Sequence, residues 1–196
     1  MIIGITGSIG SGKDTIADYL VRTHGFKRLA FASKVKDVAH VVFGWDRGML
    51  EGLTRESREW REVSDPFWGI SPRVALQRIG TEMFRAHIHE DTWVKAVMSQ
   101  INAAPESNYV ITDCRFENEV AAIIDAGGAL LAVTRGAEPV WAAEARAGAP
   151  CPVGIHSTDW NVFRLQNQAS VVISNNGALE ELYVATEGVL NTLNSQ

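Results

Sequence analysis

The 196 residues of the chain match one domain of ordinary size. A composition of 46% hydrophobic and 21% charged residues, with 17 Gly and 6 Pro, excludes a disordered, collagen-like or coiled-coil chain. Eighteen Lys and Arg against 23 Asp and Glu leave a net charge of -5, which argues against a nucleic-acid coat but leaves room for an arginine cluster that grips a small phosphorylated ligand.

Ile2–Thr6 reads as a short buried strand that opens on Gly7. From Lys13, the apolar positions Ile16, Ala17, Leu20 and Val21 recur at helical spacing. A second strand is predicted over Lys27–Phe31, and a helix over about Ser33–Val42. Trp45–Gly69 is polar and aromatic. A helix is predicted to start after Ser71-Pro72, because proline suits a first helical position. Another spans Asp91–Asn102. Tyr109–Thr112 is a third strand, followed by a helix through Glu119–Ala126 that stops at Gly127-Gly128. Ala129–Thr134 and Val171–Ser174 are the fourth and fifth strands, and Leu179–Leu193 is the last helix. The alternation predicts an α/β fold, a five-stranded parallel sheet flanked by helices. Two segments read as insertions into one domain: about 44–105, and about 136–168, rich in Ala, Gly and Pro.

Met1-Ile2-Ile3-Gly4-Ile5-Thr6 has no basic n-region, Asn194-Ser195-Gln196 carries no lipidation signal, and no apolar run reaches bilayer length. Cys114 and Cys151 have no metal-ligand spacing, so a reduced cytoplasmic protein is expected.

The strongest motif is Gly7-Ser8-Ile9-Gly10-Ser11-Gly12-Lys13-Asp14-Thr15, a G-x4-G-K loop between a predicted strand and a predicted helix. Its glycines let the backbone N–H groups of Gly7, Ser8, Gly10, Ser11 and Gly12 converge on an oxyanion, to which Lys13 adds a full positive charge. Asp14 stands where Ser or Thr is usual, with Thr15 next. Either side chain could serve Mg²⁺, and Asp14 could equally be an acid favoured by the helix dipole. Tyr109-Val110-Ile111-Thr112-Asp113 is a strand ending in Asp. Cys114 follows rather than the Glu of an ATPase motor, and no Asn-Lys-x-Asp guanine-reading motif occurs. Arg115, beside Asp113 at the mouth of the phosphate loop, suits phosphoryl transfer; its alternative is a surface pair with Glu119 at i+4.

Several blocks together resemble the phage-type deoxynucleoside monophosphate kinases, within the P-loop nucleoside monophosphate kinase superfamily. They are Gly12-Lys13-Asp14-Thr15, Phe31-Ala32-Ser33-Lys34-Val35-Lys36, Ser71-Pro72-Arg73 with Leu76-Gln77-Arg78-Ile79-Gly80-Thr81-Glu82 and Arg85, and Asp91-Thr92-Trp93. The series continues with Asp113-Cys114-Arg115-Phe116-Glu117-Asn118-Glu119, His156-Ser157-Thr158-Asp159, and Asn175-Asn176-Gly177-Ala178-Leu179-Glu180-Glu181-Leu182. Cys114 departs from the usual aliphatic residue.

The resemblance implies a P-loop fold and an enzyme that moves the γ-phosphoryl group of ATP, with Mg²⁺, to a deoxynucleoside monophosphate (dNMP). Lys13, Asp113 and Arg115 would be the catalytic residues. Gly7, Ser8, Gly10, Ser11, Gly12, Lys13, Asp14, Thr15 and Asn175 would bind ATP, and Asp14 would serve the metal. The acceptor would lie under the 44–105 segment and meet Lys36, Arg73, Gly80, Thr81, Trp93, Asp113, Arg115 and Glu119. For Trp93 the alternatives are stacking on the nucleotide and core packing; for Glu119, bonding the base and bracing Arg115. The 136–168 segment would be a lid within reach of Arg135, with Arg146 and Arg164 either supplying lid charge or lying on a solvated face. Trp45, Trp60 and Trp68 read as a satellite core, and His156 as a structural hydrogen-bonding residue. Arg55, Arg58 and Arg61 share one helical face, either an acceptor-phosphate face or a charged surface.

Small-molecule substrates are expected, with neither nucleic acid nor membrane, and a homodimer is common in the resembled family. Two rival readings are a P-loop kinase for another phosphorylated acceptor, such as dephospho-coenzyme A or phosphomevalonate, and a non-catalytic nucleotide sensor. The 71–93 block weighs against the first, and Arg73 with Arg115 against the second.

Overall fold

The computed structural model describes residues 1–195. In chain order the elements are β1 (Ile2–Thr6), α1 (Lys13–His24), β2 (Lys27–Leu29), α2 (Phe31–Phe43), α3 (Arg47–Glu51), α4 (Arg55–Glu62) and α5 (Pro72–Gln77). A π-helical segment (Arg78–Met83) runs from α5 into α6 (Phe84–His87), followed by α7 (Thr92–Asn102), β3 (Tyr109–Ile111), α8 (Glu117–Asp125) and β4 (Ala129–Thr134). The chain ends with α9 (Ala142–Arg146), α10 (Ser157–Leu165), β5 (Val171–Ser174) and α11 (Leu179–Asn194). The chain forms two compact units, one of residues 1–29 with 101–195, the other Ala30–Gln100.

The first unit carries a five-stranded sheet in the order β2-β3-β1-β4-β5. All its pairings are parallel, with Gly4 opposite Ile111 and Leu130 at the centre. Every residue of β1 is buried, as expected for a parallel strand covered on both faces. Ile16, Ala17 and Leu20 of α1 and Leu182 and Leu190 of α11 pack on Ile3, Ile5, Leu131 and Val133. Within 136–168, α9 and α10 build a small core of their own. Trp141 stacks on Trp160 at 5.3 Å, and the Trp160 indole donates to the Ala149 carbonyl at 3.1 Å. Arg146 lies at the surface, where its guanidinium forks onto Glu138 at 2.6 and 2.9 Å and donates to Gln166. Arg164 pairs with Glu117 at 2.9 Å.

The second unit is helical. Phe43, Trp45, Trp60 and Trp68 form the expected aromatic cluster, with Phe43 stacked on Trp45 at 4.3 Å. The stretch that reads as polar and aromatic contains two short helices, each started by a side-chain cap. Asp46 accepts from the Met49 N–H, and Thr54 and Ser57 cap each other reciprocally.

Three boundaries differ from the sequence reading. Strand β2 stops at Leu29, and Phe31, an apolar residue that reads as strand, is the buried first residue of α2. Helix α8 begins at Glu117, because Phe116 is extended and the Glu119 carboxylate accepts from its N–H. The helix after Pro72 opens into a π-helical turn at Arg78–Met83, a feature frequent at functional sites.

Candidate active site

The phosphate loop runs from the end of β1 to the start of α1. Its geometry depends on glycine at two points. Gly12 has φ +107°, and a Cβ there would lie 2.4 Å from Asn175 Nδ2. Gly10 has φ +79° and open space where its Cβ would stand. Both backbone conformations are ones that other residues rarely adopt. Asn175, nearly buried just beyond β5, donates its amide to the Ser11 carbonyl at 2.8 Å. The Thr6 and Ser11 hydroxyls are buried and find no hydrogen-bond partner among the described residues.

The Lys13 ammonium folds over the loop and donates to the Gly7 and Ser8 carbonyls at 2.7 and 2.8 Å. Burial, and next the Arg115 charge, lower its pKa, while Asp14 and Asp113 oppose that shift. Arg115, Asp14 and Asp113 thus lie within electrostatic reach of Lys13. An added oxyanion would compensate the two cations. Glu119 is almost fully buried and accepts from the backbone N–H groups of Arg115 (2.8 Å) and Phe116 (3.1 Å). It braces the turn that carries Arg115, one of its two expected roles. Burial, followed by the charges of Glu119 and Asp113, pushes the Cys114 thiol well up, so it packs as a small apolar residue.

Asp14 is exposed at the start of α1 and ion-paired to Arg28, which also pairs with Asp18 at 3.0 Å and lies 3.4 Å from the Thr112 hydroxyl. Arg28 was not evident in the sequence, since one arginine in a three-residue strand carries no motif. The oxygen donors of Asp14, Thr15 and Asp113 are the type that magnesium takes alongside phosphates. No group of three or more His, Cys, Asp or Glu forms a metal cage among the described residues.

The expected acceptor residues lie in the second unit, apart from Asp113, Arg115 and Glu119. Arg73 is exposed in the first turn of α5, 3.7 Å from Glu62. The Lys36 ammonium is mostly buried and bound to the Glu51 carboxylate at 2.5 Å, a partner that the sequence did not reveal. Gly80 and Thr81 sit in the π-helical turn. Trp93 takes the core role of its two alternatives. It is buried, its ring lies 4.8 Å from that of Phe84, and its indole donates to the Gly80 carbonyl at 2.8 Å. His156 caps α10 by accepting from the Thr158 N–H. No helix among the described residues is long and apolar enough to cross a membrane.

A parallel sheet, a glycine-rich loop opening a helix, and a lysine over that loop define a P-loop kinase fold. Dephospho-CoA kinase from Campylobacter jejuni has this fold, with a TM-score of 0.52 over 98% of this chain and 96% of that one at 14% identity. No family model matches the sequence. The chain is 28% identical to a putative deoxynucleotide monophosphate kinase of Acanthamoeba polyphaga mimivirus, over 93% of its own length and 92% of that protein. It is 27% identical to the deoxynucleoside-5'-monophosphate kinase of Escherichia phage T5, over 61% of its length and 70% of that protein. The chain is thus similar to proteins named deoxynucleotide and deoxynucleoside monophosphate kinase, one of them matched over nearly its whole length.

Proposed function

We propose that the chain is a deoxynucleoside monophosphate kinase that transfers the γ-phosphoryl group of ATP to a dNMP, giving a deoxynucleoside diphosphate and ADP. The observation that carries this reading is the Lys13, Asp113 and Arg115 cluster at the phosphate loop, in a chain whose relatives bear that name. Phosphoryl transfer needs little covalent chemistry from a protein; it needs two substrates held in line and the spread charge of the transition state stabilised.

The loop N–H groups would cradle the ATP β-phosphate, and Lys13 would exchange the Gly7 and Ser8 carbonyls for phosphate oxygens. Asn175 would keep the loop in shape. Arg115, its turn braced by Glu119, would neutralise charge on the moving group. Asp14 or Thr15 would hold Mg²⁺, whose charge offsets that of the phosphates when it is bound. Asp113 would orient the metal or the acceptor phosphate. Arg73 would fork onto the acceptor monophosphate, since guanidinium suits phosphate oxygens bidentately. Lys36 would leave Glu51 to be a second contact to the phosphate or base, and Gly80 and Thr81 would let the helix come close to the nucleotide, with Trp93 fixing Gly80. The chain would work as one kinase domain, with the 44–105 segment taking the acceptor and the 136–168 segment acting as a lid that excludes water. Its substrates would be small molecules, with no nucleic acid or membrane involved. It would act in the cytoplasm, of the host cell if phage-encoded.

The test is a coupled assay of ADP release with each of four dNMPs and four ribonucleoside monophosphates, and with dephospho-coenzyme A and phosphomevalonate. Release stimulated by one or more dNMPs is expected. Release indifferent to all eight, or stimulated only by dephospho-coenzyme A or phosphomevalonate, overturns the reading.

A further inference from the structure

The cations of the second unit differ in how fully their donors are used. Arg47 pairs with Asp37 at 2.8 Å and with Glu51, and reaches the Ser33 hydroxyl at 3.1 Å. Lys36 is bound to Glu51. Arg55 pairs with Glu59 at 2.6 Å on the surface. Arg58 donates at the surface to the Thr54 and Leu53 carbonyls at 3.2 and 3.4 Å, and Arg61, in the last turn of α4, is left with a buried donor unused. It makes one long contact from Nη1 to the Leu50 carbonyl at 3.4 Å, and its Nε is buried with no hydrogen-bond partner among the described residues.

The guanidinium lies against the backbone of Gly52, where an added Cβ would stand 2.2 Å from Cζ, and Gly52 holds φ +69°. Arg61 is thus a half-buried planar fork with no paired anion among the described residues. The charges around it do not supply one. Arg73 and Arg58 act on it with like charge. Of the opposing carboxylates, Glu51 already takes Lys36 and Arg47, and Glu62 faces Arg73. A buried charge is normally paired, and a fork with spare donors beside a second arginine matches an oxyanion with several acceptor atoms.

We propose that Arg61 is the second phosphate-binding guanidinium of the acceptor site, acting with Arg73 on the monophosphate of the incoming nucleotide. This rests on the kinase reading above and assigns to Arg61 the second-cation role that Lys36 would otherwise fill. Burial, and next the Arg73 charge, lower the Arg61 pKa, a shift that a phosphate dianion would reverse.

The test is titration calorimetry of a dNMP, without ATP, on wild type, Arg61→Gln, Arg61→Lys and Arg55→Gln, with ATP titrated separately. Thermal transitions serve as the control for folding. Arg61→Gln is expected to raise the dNMP Kd about ten- to hundredfold, the loss typical of hydrogen bonds to a charged group, with the ATP Kd unchanged. Arg61→Lys should recover part of the loss, because it keeps the charge but not the fork. Arg55→Gln should bind like wild type. If Arg61→Gln lowers the thermal transition, Arg61→Lys carries the test, and an unchanged Kd in that variant overturns the assignment. So does a dNMP Kd in folded Arg61→Gln equal to that of wild type, or a loss that falls on ATP instead. Failure of wild type to bind any dNMP overturns the kinase reading itself, whereas normal wild-type binding with an indifferent Arg61 overturns this inference alone.

Discussion

The Asn175 side-chain amide donates to the Ser11 carbonyl at 2.8 Å and so ties the end of β5 to the phosphate loop. The contact is nearly buried, and it passes so close to Gly12 that a Cβ there would sit 2.4 Å from the amide nitrogen. Losing such a bond leaves the carbonyl unsatisfied, at a cost of about 1–3 kcal/mol. Asn175→Ala is expected to raise the KM for ATP about five- to tenfold, within that energy, with little change in the dNMP KM. Gly12→Ala should be worse, because it adds a disfavoured φ of +107° to the clash. Nucleotide titration checks both, and an unchanged ATP affinity in Asn175→Ala would remove the tether from the mechanism.

Lys13 rests on two loop carbonyls and has no ion pair among the described residues. Its removal therefore costs the fold little and the reaction most of its electrostatic stabilisation. Lys13→Ala should abolish turnover and keep a normal thermal transition. Near-wild-type rates in a folded Lys13→Ala would place the chemistry elsewhere.

Much of this was legible in the sequence, for a consistent reason. The strands β1, β4 and β5 and the phosphate loop are local patterns: continuous apolar runs, and glycines at fixed offsets from a lysine. What was not legible is pairing at a distance. Nothing in the sequence says that Arg28 bonds Asp14, that Lys36 is bound by Glu51, or that Arg61 is left with a spare donor. The π-helical turn at Arg78–Met83 has the same periodic residues as an α-helix and differs only by one extra residue per turn. The short helices α3 and α4 depend on caps by Asp46 and the Thr54–Ser57 pair, in which Ser57 stands where Glu or Gln would mark a capping box.

Asp14 is the departure from the usual phosphate loop, and Arg28 holds it in a network with Asp18 and Thr112. Asp14→Asn keeps the helix-start preference and removes the charge. It is expected to raise the Mg²⁺ concentration needed for half-maximal rate. An unchanged magnesium dependence would leave Asp14 without a metal role.

Glu51 gives the second unit a pH dependence. Burial opposes ionisation of Glu51, but hydrogen bonds from Lys36 and then Arg47 outweigh it and hold the carboxyl below its ordinary value. A depressed folded pKa stabilises the native state above the unfolded value, about 4.3, and that contribution is lost as pH falls through the folded pKa. Wild type should therefore lose stability below about pH 4. Glu51→Gln should be less stable at pH 7 and should show a flatter acid limb. Tryptophan fluorescence of a Trp141→Phe, Trp160→Phe background, in which the remaining tryptophans all lie in the second unit, followed through thermal unfolding from about pH 3 to 7, reads this. An acid limb of undiminished slope in Glu51→Gln would assign the dependence to other carboxylates such as Asp37.

Arg73 is the residue on which the acceptor reading turns. It is exposed in the first turn of α5, and its ion pair with Glu62 at 3.7 Å is long and solvated on both sides. Such a pair contributes little to stability, so the guanidinium is free to turn to a better partner. A phosphate monoester is that partner: it accepts both arms of the fork. Hydrogen bonds to a charged group contribute about 1.5–3 kcal/mol each, and each 1.4 kcal/mol is about tenfold in rate or affinity. Arg73→Ala should therefore lower kcat/KM for the dNMP by about two to four orders of magnitude. The thermal transition should stay near that of wild type, because only an exposed pair is lost. The KM for ATP should hardly move, since the phosphate loop is untouched. Arg73→Lys should restore part of the activity, charge without the fork. A variant that loses ATP affinity and keeps the wild-type KM for the dNMP would put Arg73 on the donor side and leave the acceptor site without its leading residue.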